Sequence, residues 1–285
     1  MHFAYKKTDR LLFYWKTFTV KFFKHWLEVK RPKFKTFIYN IAYTAKYLLT
    51  NTSQYPSPFN VDMVETQFGK FRIRPRTVDM IYISPSFERR DIDYLLRLVV
   101  KLNDAGKSIL LADIGANIGA YCIAVGNTLK NRPNTHIIAV EPAESTYKLL
   151  AENIKLNDLA DRITLFNCAA YSRDDQELNF SFNPCSPGES GLSEHGTDKV
   201  VTKTLDTLLA DKAPLFDVMI FKMDVEGAEK EVLKGASGIL DLKKEFYFLI
   251  EDIVNPGIVA YLENMGAEYT GKLTPYNSWW RYAKR

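Results

Sequence analysis

The chain has 285 residues, of which 46% are apolar and 25% charged, with a formal net charge of +4. This is an ordinary globular composition, so wholesale disorder is excluded, and the length suits one large α/β domain with appendages. The three cysteines, Cys122, Cys168 and Cys185, form no CxxC pair and are too few for a disulfide framework; four scattered histidines make no zinc site. Cys122 and Cys168 lie inside apolar runs and read as small buried hydrophobes, and this usage fits a reducing cytoplasm.

Residues 1–50 hold eleven Lys/Arg, two acids and fourteen aromatics, which leaves the rest of the chain net acidic. No uncharged run there approaches the roughly 18 apolar residues that span a bilayer. A compact apolar stretch with a small-residue cleavage site is also missing. Three readings compete: helices packing an aromatic face on the main domain, a helix lying in a membrane interface, and a nucleic-acid binder. The acidic remainder argues against the last. Residues 1–55 are therefore expected to form a basic aromatic helical extension, with residues 1–50 offering peripheral contact at the inner membrane face of a cytoplasmic protein. "NTSQYPSPFN" (51–60) has linker composition, and the main domain is expected over 56–285.

"VETQFGKFRIRP" reads as two short strands joined at Gly69, and "SFERRDIDYLLRLVVKLNDAG" has helical spacing up to Gly106. Strand and helix patterns then alternate. "SILLADIG", "HIIAVEP", "ITLFNCAA", "DVMIFKMDV" and "EFYFLIED" are strands. The stretches "NIGAYCIAVGNTL", "ESTYKLLAENIKLN", "KTLDTLLAD", "GAEKEVLKGASGIL" and "GIVAYLENMG" are helices. "AEYTGKL" and "SWWRYAK" close as a hairpin, while 183–196, rich in Ser, Gly and Pro, reads as an irregular lid. Apolar strands alternating with helices predict a mostly parallel sheet covered on both faces.

Three stretches carry chemistry. "LLADIGANIGAY" has Gly115 and Gly119 four apart, but Asn117 and Ala120 stand where a dinucleotide loop needs glycine. Asp113 ends its strand, and a carboxylate there repels phosphate, so the loop suits a positive or neutral group. Glu141 ends the next strand, where nucleotide-binding sheets grip ribose hydroxyls; a carboxylate accepts two hydrogen bonds from a vicinal diol. In "FKMDVEGAEKEVLKGA", Asp224 and Glu226 bracket a strand end, able to act as a general base, a metal pair or a match to a helix N-terminus. Asn167 and Glu251 end the other strands on the same rim. Glu229 and Glu231 read as solvated helix-face residues, and Arg72, Arg74 and Asp79 as the solvated face of a short strand.

"DIGANIGAY", "VEPAESTYKLLAENIKLN", "LFNCAAYS", "VTKTLDTLL" and "FKMDVEGAEKEVLKGA" resemble, in order and spacing, the FkbM-type branch of S-adenosylmethionine-dependent class I methyltransferases. The resemblance runs from about Phe71 to Glu251, and "KMDVEGAE" with "VEP" is its most specific part. It implies a Rossmann-like class I methyltransferase fold: a mostly parallel seven-stranded sheet, helices on both faces and an antiparallel C-terminal hairpin. It implies S-adenosylmethionine as cofactor. Asp113, Gly115, Asn117 and Gly119 would surround the methionine part. Glu141 would hold the ribose, Asn167, Cys168 and Ala169 would lie near the adenine, and Asp224 would sit beside the transferred methyl.

The expected reaction is methyl transfer to a hydroxyl of a sugar or glycan, with Asp224 as first choice of general base, Glu251 second and His195 a further candidate. Rival expectations are a non-sugar small metabolite as acceptor, a divalent cation on Asp224, Glu226 and Glu251, and a non-catalytic module that keeps the fold. A dehydrogenase is disfavoured by Asn117 and Ala120.

Overall fold

The computed structural model describes residues 62–284, apart from 76, 84–86, 133, 185 and 255–256. The extension expected at 1–55, and its membrane contact, lie outside the described residues. Among those described, no helix is long and apolar enough to cross a membrane.

A hairpin of β1 (Met63–Thr66) and β2 (Gly69–Arg72) leads into α1 (Asp79–Tyr82) and α2 (Arg89–Asp104). Alternation follows: β3 (Ile109–Ile114), α3 (Ala120–Thr128), β4 (Thr135–Val140), α4 (Glu144–Leu156) and β5 (Ile163–Phe166). Then come β6 (Ala169–Ala170), β7 (Glu177–Ser181), β8 (Gly191–Leu192), β9 (Asp198–Lys203) and α5 (Leu205–Leu209). The last part is β10 (Val218–Met223), α6 (Glu229–Lys234), α7 (Ser237–Leu240), β11 (Glu245–Glu251), α8 (Gly257–Met265), β12 (Glu268–Lys272) and β13 (Asn277–Ala283).

The main sheet has seven strands in the order β12-β13-β11-β10-β3-β4-β5. The β11-β10-β3-β4-β5 pairs are parallel, and β13 pairs antiparallel with β11 and β12. This is the Rossmann-like arrangement, with its C-terminal hairpin, that the sequence predicts. All six residues of β3 and of β10 are buried, as expected of central strands covered on both faces. One apolar cluster (Leu95, Ile123, Leu150, Trp279) packs one face, and a second (Phe221, Phe246, Phe248, Leu262) packs the other. Strand order reverses between β3 and β10, so a crevice opens at their carboxyl ends.

Three features differ from the sequence reading. A small second sheet, β6-β9-β7-β8, frames the stretch read as an irregular lid. Its strands "ELNFS" and "DKVVTK" have little apolar alternation because much of their surface stays exposed. Within 183–196 the chain makes a 3-10 turn at Pro187–Glu189 and the short strand β8. The helix read over "GAEKEVLKGASGIL" breaks into α6 and α7. At the break Gly235 presses on the backbone of Tyr171, where a Cβ would lie 2.0 Å from the carbonyl oxygen. Asp206 then caps α7 by accepting from the backbone N–H groups of Gly238 and Ile239.

The leading hairpin is held by two asparagines one turn apart, Asn153 on α4 and Asn157 just past its end. The Arg72 N–H donates to Asn153 Oδ1 at 2.6 Å, and Asn153 Nδ2 donates back to the Arg72 carbonyl. Asn157 repeats this with Lys70. Each amide thus presents a donor and an acceptor, as a strand edge would. The clip fixes where the chain beyond β2 arrives. Asn153→Ala strips three backbone groups (Arg72 N–H and C=O, Ile118 C=O) of side-chain partners, so urea unfolding should show a loss of about 1–3 kcal/mol.

Candidate active site

A cavity lies over the carboxyl ends of β3, β4 and β10. Its floor is the Gly115–Ile118 loop, with Glu141 on one side and Lys222 and Asp224 on the other. Gly115 has φ +76°, and a Cβ there would meet the Asp224 carbonyl oxygen at 1.9 Å. Only glycine permits that approach. Asn117 also adopts a positive φ (+48°), which asparagine tolerates better than most residues.

At one end stands Glu141. Its Oε2 accepts from the Asn117 N–H at 3.0 Å and its Oε1 from the Ala143 N–H at 2.9 Å. Burial pushes its carboxyl up to about 7 despite those two donors. Asn167, expected near the adenine, is exposed and donates through Nδ2 to the Glu141 and Pro142 carbonyls. Of the three residues expected there, Ala169 lines the cavity, while Asn167 and Cys168 do not.

Asp113 requires a correction. The sequence reading places it beside a cationic ligand, but its side chain is fully buried and does not line the cavity. Its Oδ2 accepts from the Cys122 N–H in the first turn of α3, and its Oδ1 lies 3.7 Å from Lys222 Nζ with no hydrogen-bond partner. The cation that balances it belongs to the protein. Gly119 likewise stands behind the loop rather than on the cavity surface.

Lys222 is the residue the sequence reading missed. It lines the cavity, donates to the Gly115 carbonyl (3.2 Å) and Asp224 Oδ2 (3.4 Å), and stands 5.2 Å from the Tyr121 ring centroid. Burial disfavours its charge, but Asp224 and Asp113 outweigh that and raise its pKa. The signal was one lysine in "VMIFKM", a strand otherwise apolar throughout. Ahead of the alternating region, Tyr82 and Phe87 also line the cavity, their rings edge-to-face at 5.2 Å. Glu88 accepts from the Tyr121 hydroxyl at 2.6 Å.

Asp224, on the other side of the cavity, has further acids beside it, Glu226 and Glu251, which do not themselves line the cavity. Carboxylate oxygens of Asp224, Glu226 and Glu251 lie within 4.8 Å of one another. Burial, then Asp224 and Glu226, drives Glu251 up to about 9, and burial, then Asp224 and Glu189, drives Glu226 up to about 7. Glu229, read as a solvated helix-face residue, is fully buried, and its Oε1 accepts from the Val225 and Gly227 N–H groups. His195, a further candidate base, is exposed and does not line the cavity; the turn closed by the Gly196 N–H on the Ser193 carbonyl carries it outward. Arg72 is solvated as expected, pairing with Glu152, but Arg74 and Asp79 form an inward-facing ion pair.

A family model for the methyltransferase FkbM domain matches residues 113–269, more than half of the chain. The chain belongs to the FkbM methyltransferase family. Among curated relatives, methyltransferase sdnD of Sordaria araneosa is 27% identical over 201 residues, 56% of this chain and 74% of that protein. Hexuronic acid methyltransferase AglP of Haloferax volcanii is 30% identical over 147 residues, 49% of this chain and 54% of the relative, so this chain matches only about half of it. A solved S-adenosylmethionine-dependent methyltransferase from Agrobacterium tumefaciens aligns with a TM-score of 0.45 and 8% identity, covering 78% of this chain and 70% of that one.

The raised carboxyls of this FkbM-family site have a consequence for stability. Glu251, Glu226 and Glu141 bind protons in the folded state at pH values where the unfolded chain, titrating near 4.5, has released them. Their contribution is therefore fullest below 4.5 and is lost as pH rises towards 9. Urea midpoints measured from pH 5 to 9 should fall, and Glu251→Gln should flatten the upper part of that slope.

Proposed function

We propose that the chain is an S-adenosylmethionine-dependent O-methyltransferase acting on a hydroxyl of a sugar or glycan that carries no negative charge. The cavity's chemistry fits the cofactor. Glu141 offers a carboxylate to a vicinal diol, the Gly115–Asn117 loop leaves room for an amino-acid chain, and the wall carries carboxylates rather than a phosphate-binding nest. When bound, S-adenosylmethionine supplies an electrophilic methyl on a sulfonium. The protein's part is to align the acceptor and take its proton.

The observation that carries the reading is that Asp224 lines the cavity at the switch point, backed by Lys222 and by the loop that holds Gly115. Asp224 is the general base in this reading, accepting the acceptor hydroxyl's proton on its carboxylate as the oxygen attacks. Glu251 is less suited, because a group pushed up to about 9 already holds a proton at neutral pH. It serves better as a hydrogen-bond donor to a polyol.

The acceptor class follows from the same acids. After burial, the charges of Asp224 and Glu189 raise Glu226 and those of Asp224 and Glu226 raise Glu251, and a substrate carboxylate would meet the same repulsion. Tyr82 and Phe87 give apolar ring surface on which a sugar face can rest. The relative AglP is named for a hexuronic acid; this rim suits a neutral sugar instead. With radiolabelled cofactor, neutral glycosides should accept methyl and uronates should not. Asp224→Asn should lower kcat by about 100-fold or more while leaving S-adenosylhomocysteine binding within about threefold. Labelling confined to uronates would overturn the acceptor class, and full kcat in the asparagine variant would remove Asp224 as base.

A second reading uses the same cluster. Glu251 Oε2 is buried without a hydrogen-bond partner, and a divalent cation on Asp224, Glu226 and Glu251 would relieve the repulsion in place of protons. The all-oxygen donor set favours Mg²⁺ or Ca²⁺. Exhaustive chelation should then abolish activity and added Mg²⁺ restore it; unchanged turnover would exclude the cation.

A further inference from the structure

Arg74 lies upstream of the family match, on the segment that the asparagine clip delivers to the cavity. Its guanidinium is unusually committed. Nε and Nη2 form a fork on Asp79, at 2.8 Å to Oδ2 and 2.8 Å to Oδ1, and the Arg74 backbone N–H adds a third bond to Oδ2. Asp79 is fully buried, and its own N–H donates to Thr77 Oγ1, which in turn donates to the Arg74 carbonyl. The fork leaves the other edge of the guanidinium to face the domain. Nη1 donates to Thr146 Oγ1 in the first turn of α4 at 2.9 Å, and Nη2 donates to Asn117 Oδ1 at 3.3 Å. Asn117 is the residue whose N–H donates to Glu141 Oε2. The chain of contacts runs Asp79, Arg74, Asn117, Glu141.

We propose that Arg74 is a positioning residue for the ribose of the cofactor: it holds the Asn117 loop and the Glu141 carboxylate in the geometry that receives the ribose diol. This rests on the reading of Glu141 as the diol acceptor. Two physical effects support it. The planar fork orients Arg74 rigidly, so a side chain of ordinary flexibility becomes a fixed strut across the loop. Its charge also acts on Glu141. Burial pushes that carboxyl up to about 7, while the Ala143 and Asn117 N–H groups, Arg74 and Lys222 pull it down. The charged groups that act on Glu141 are thus Arg74 from the β2–α1 segment and Lys222 from β10, both cations. Losing Arg74 removes a charge that favours the ionised form of Glu141, and an ionised carboxylate is the better acceptor for two hydroxyls.

The family match begins at residue 113, so on this inference the ribose site is built partly by residues outside the segment that defines the family. The same upstream segment brings Tyr82 and Phe87 to the cavity.

The test uses the full chain and calorimetric titration with S-adenosylhomocysteine and with its 2′-deoxyribose analogue, so no acceptor is needed. Arg74→Met should weaken S-adenosylhomocysteine by about tenfold and leave the deoxy analogue within about twofold, collapsing the preference for ribose. The pH at which S-adenosylhomocysteine affinity reaches half its maximum should also rise. Because Arg74→Met strands Asp79, the double variant Arg74→Gln with Asp79→Asn is measured as well. It keeps an uncharged hydrogen-bonded pair and should show the same loss of ribose preference with a folded circular-dichroism spectrum. Arg74→Lys keeps the charge without the fork and should retain the wild-type pH midpoint while losing affinity. Equal weakening of both ligands in the double variant, or no change in either, would overturn the proposal. Failure of the wild-type protein to bind S-adenosylhomocysteine would instead overturn the cofactor reading on which it rests.

Discussion

Two neighbouring parallel strands carry opposite charges side by side near their ends: Asp113 on β3 and Lys222 on β10 are register partners at the point where the strand order reverses. Burying either charge alone would cost several kcal/mol. Buried together they offset one another, with the Gly115 carbonyl, the Cys122 N–H and the Tyr121 ring completing the surroundings. A buried ion pair adds little net stability, but it specifies register: shifting β10 by one residue would put Lys222 on the opposite face of the sheet. With the register fixed, the Asp224 carbonyl arrives against Gly115, the loop folds over it, and the cavity floor is set. Everything downstream of the two strands inherits that placement.

The cavity's two ends solve different electrostatic problems. At the Glu141 end one carboxylate is fed by two backbone donors and two cations, so it is directed and specific. At the Asp224 end several carboxylates crowd together, and Lys222 pairs with Asp224. Repulsion there is relieved by protons, which makes that end a store of hydrogen-bond donors as well as acceptors. Such a mixture suits a ligand with many hydroxyls, each of which can both give and take a hydrogen bond. Gly191 and Leu192 of the small sheet line this cavity too, so the sheet is part of its wall rather than an ornament on the surface.

Much of this was legible in the sequence. The alternation of apolar strands with helices gave the architecture, because central strands buried on both faces need continuous apolar runs. The glycine loop, Glu141 and the acid-rich rim were found by position at strand ends. What escaped was set by contacts distant in sequence. The break at Gly235 depends on the Tyr171 carbonyl, Glu229 turns inward to cap a loop of its own, and Asp113 is claimed by a lysine more than a hundred residues away. Arg74 and Asp79 looked like one solvated strand face, since nothing local announces that a fork will close between them. Lys222 did leave a mark, as a lone charge in a strand that should tolerate none.

The asparagine clip and the C-terminal hairpin together separate two kinds of boundary. The matched segment opens at residue 113, inside β3, and closes at 269, inside β12 and before β13. In the sheet, β13 lies between β12 and β11. A fragment cut at those limits would therefore lose most of its central strand, leave β11 with an unpaired apolar edge prone to aggregation, and strand the Asn153 and Asn157 amides with no hairpin to hold. The unit that heredity keeps recognisable is smaller than the unit that folds, and any dissection of this protein into working parts has to follow the second.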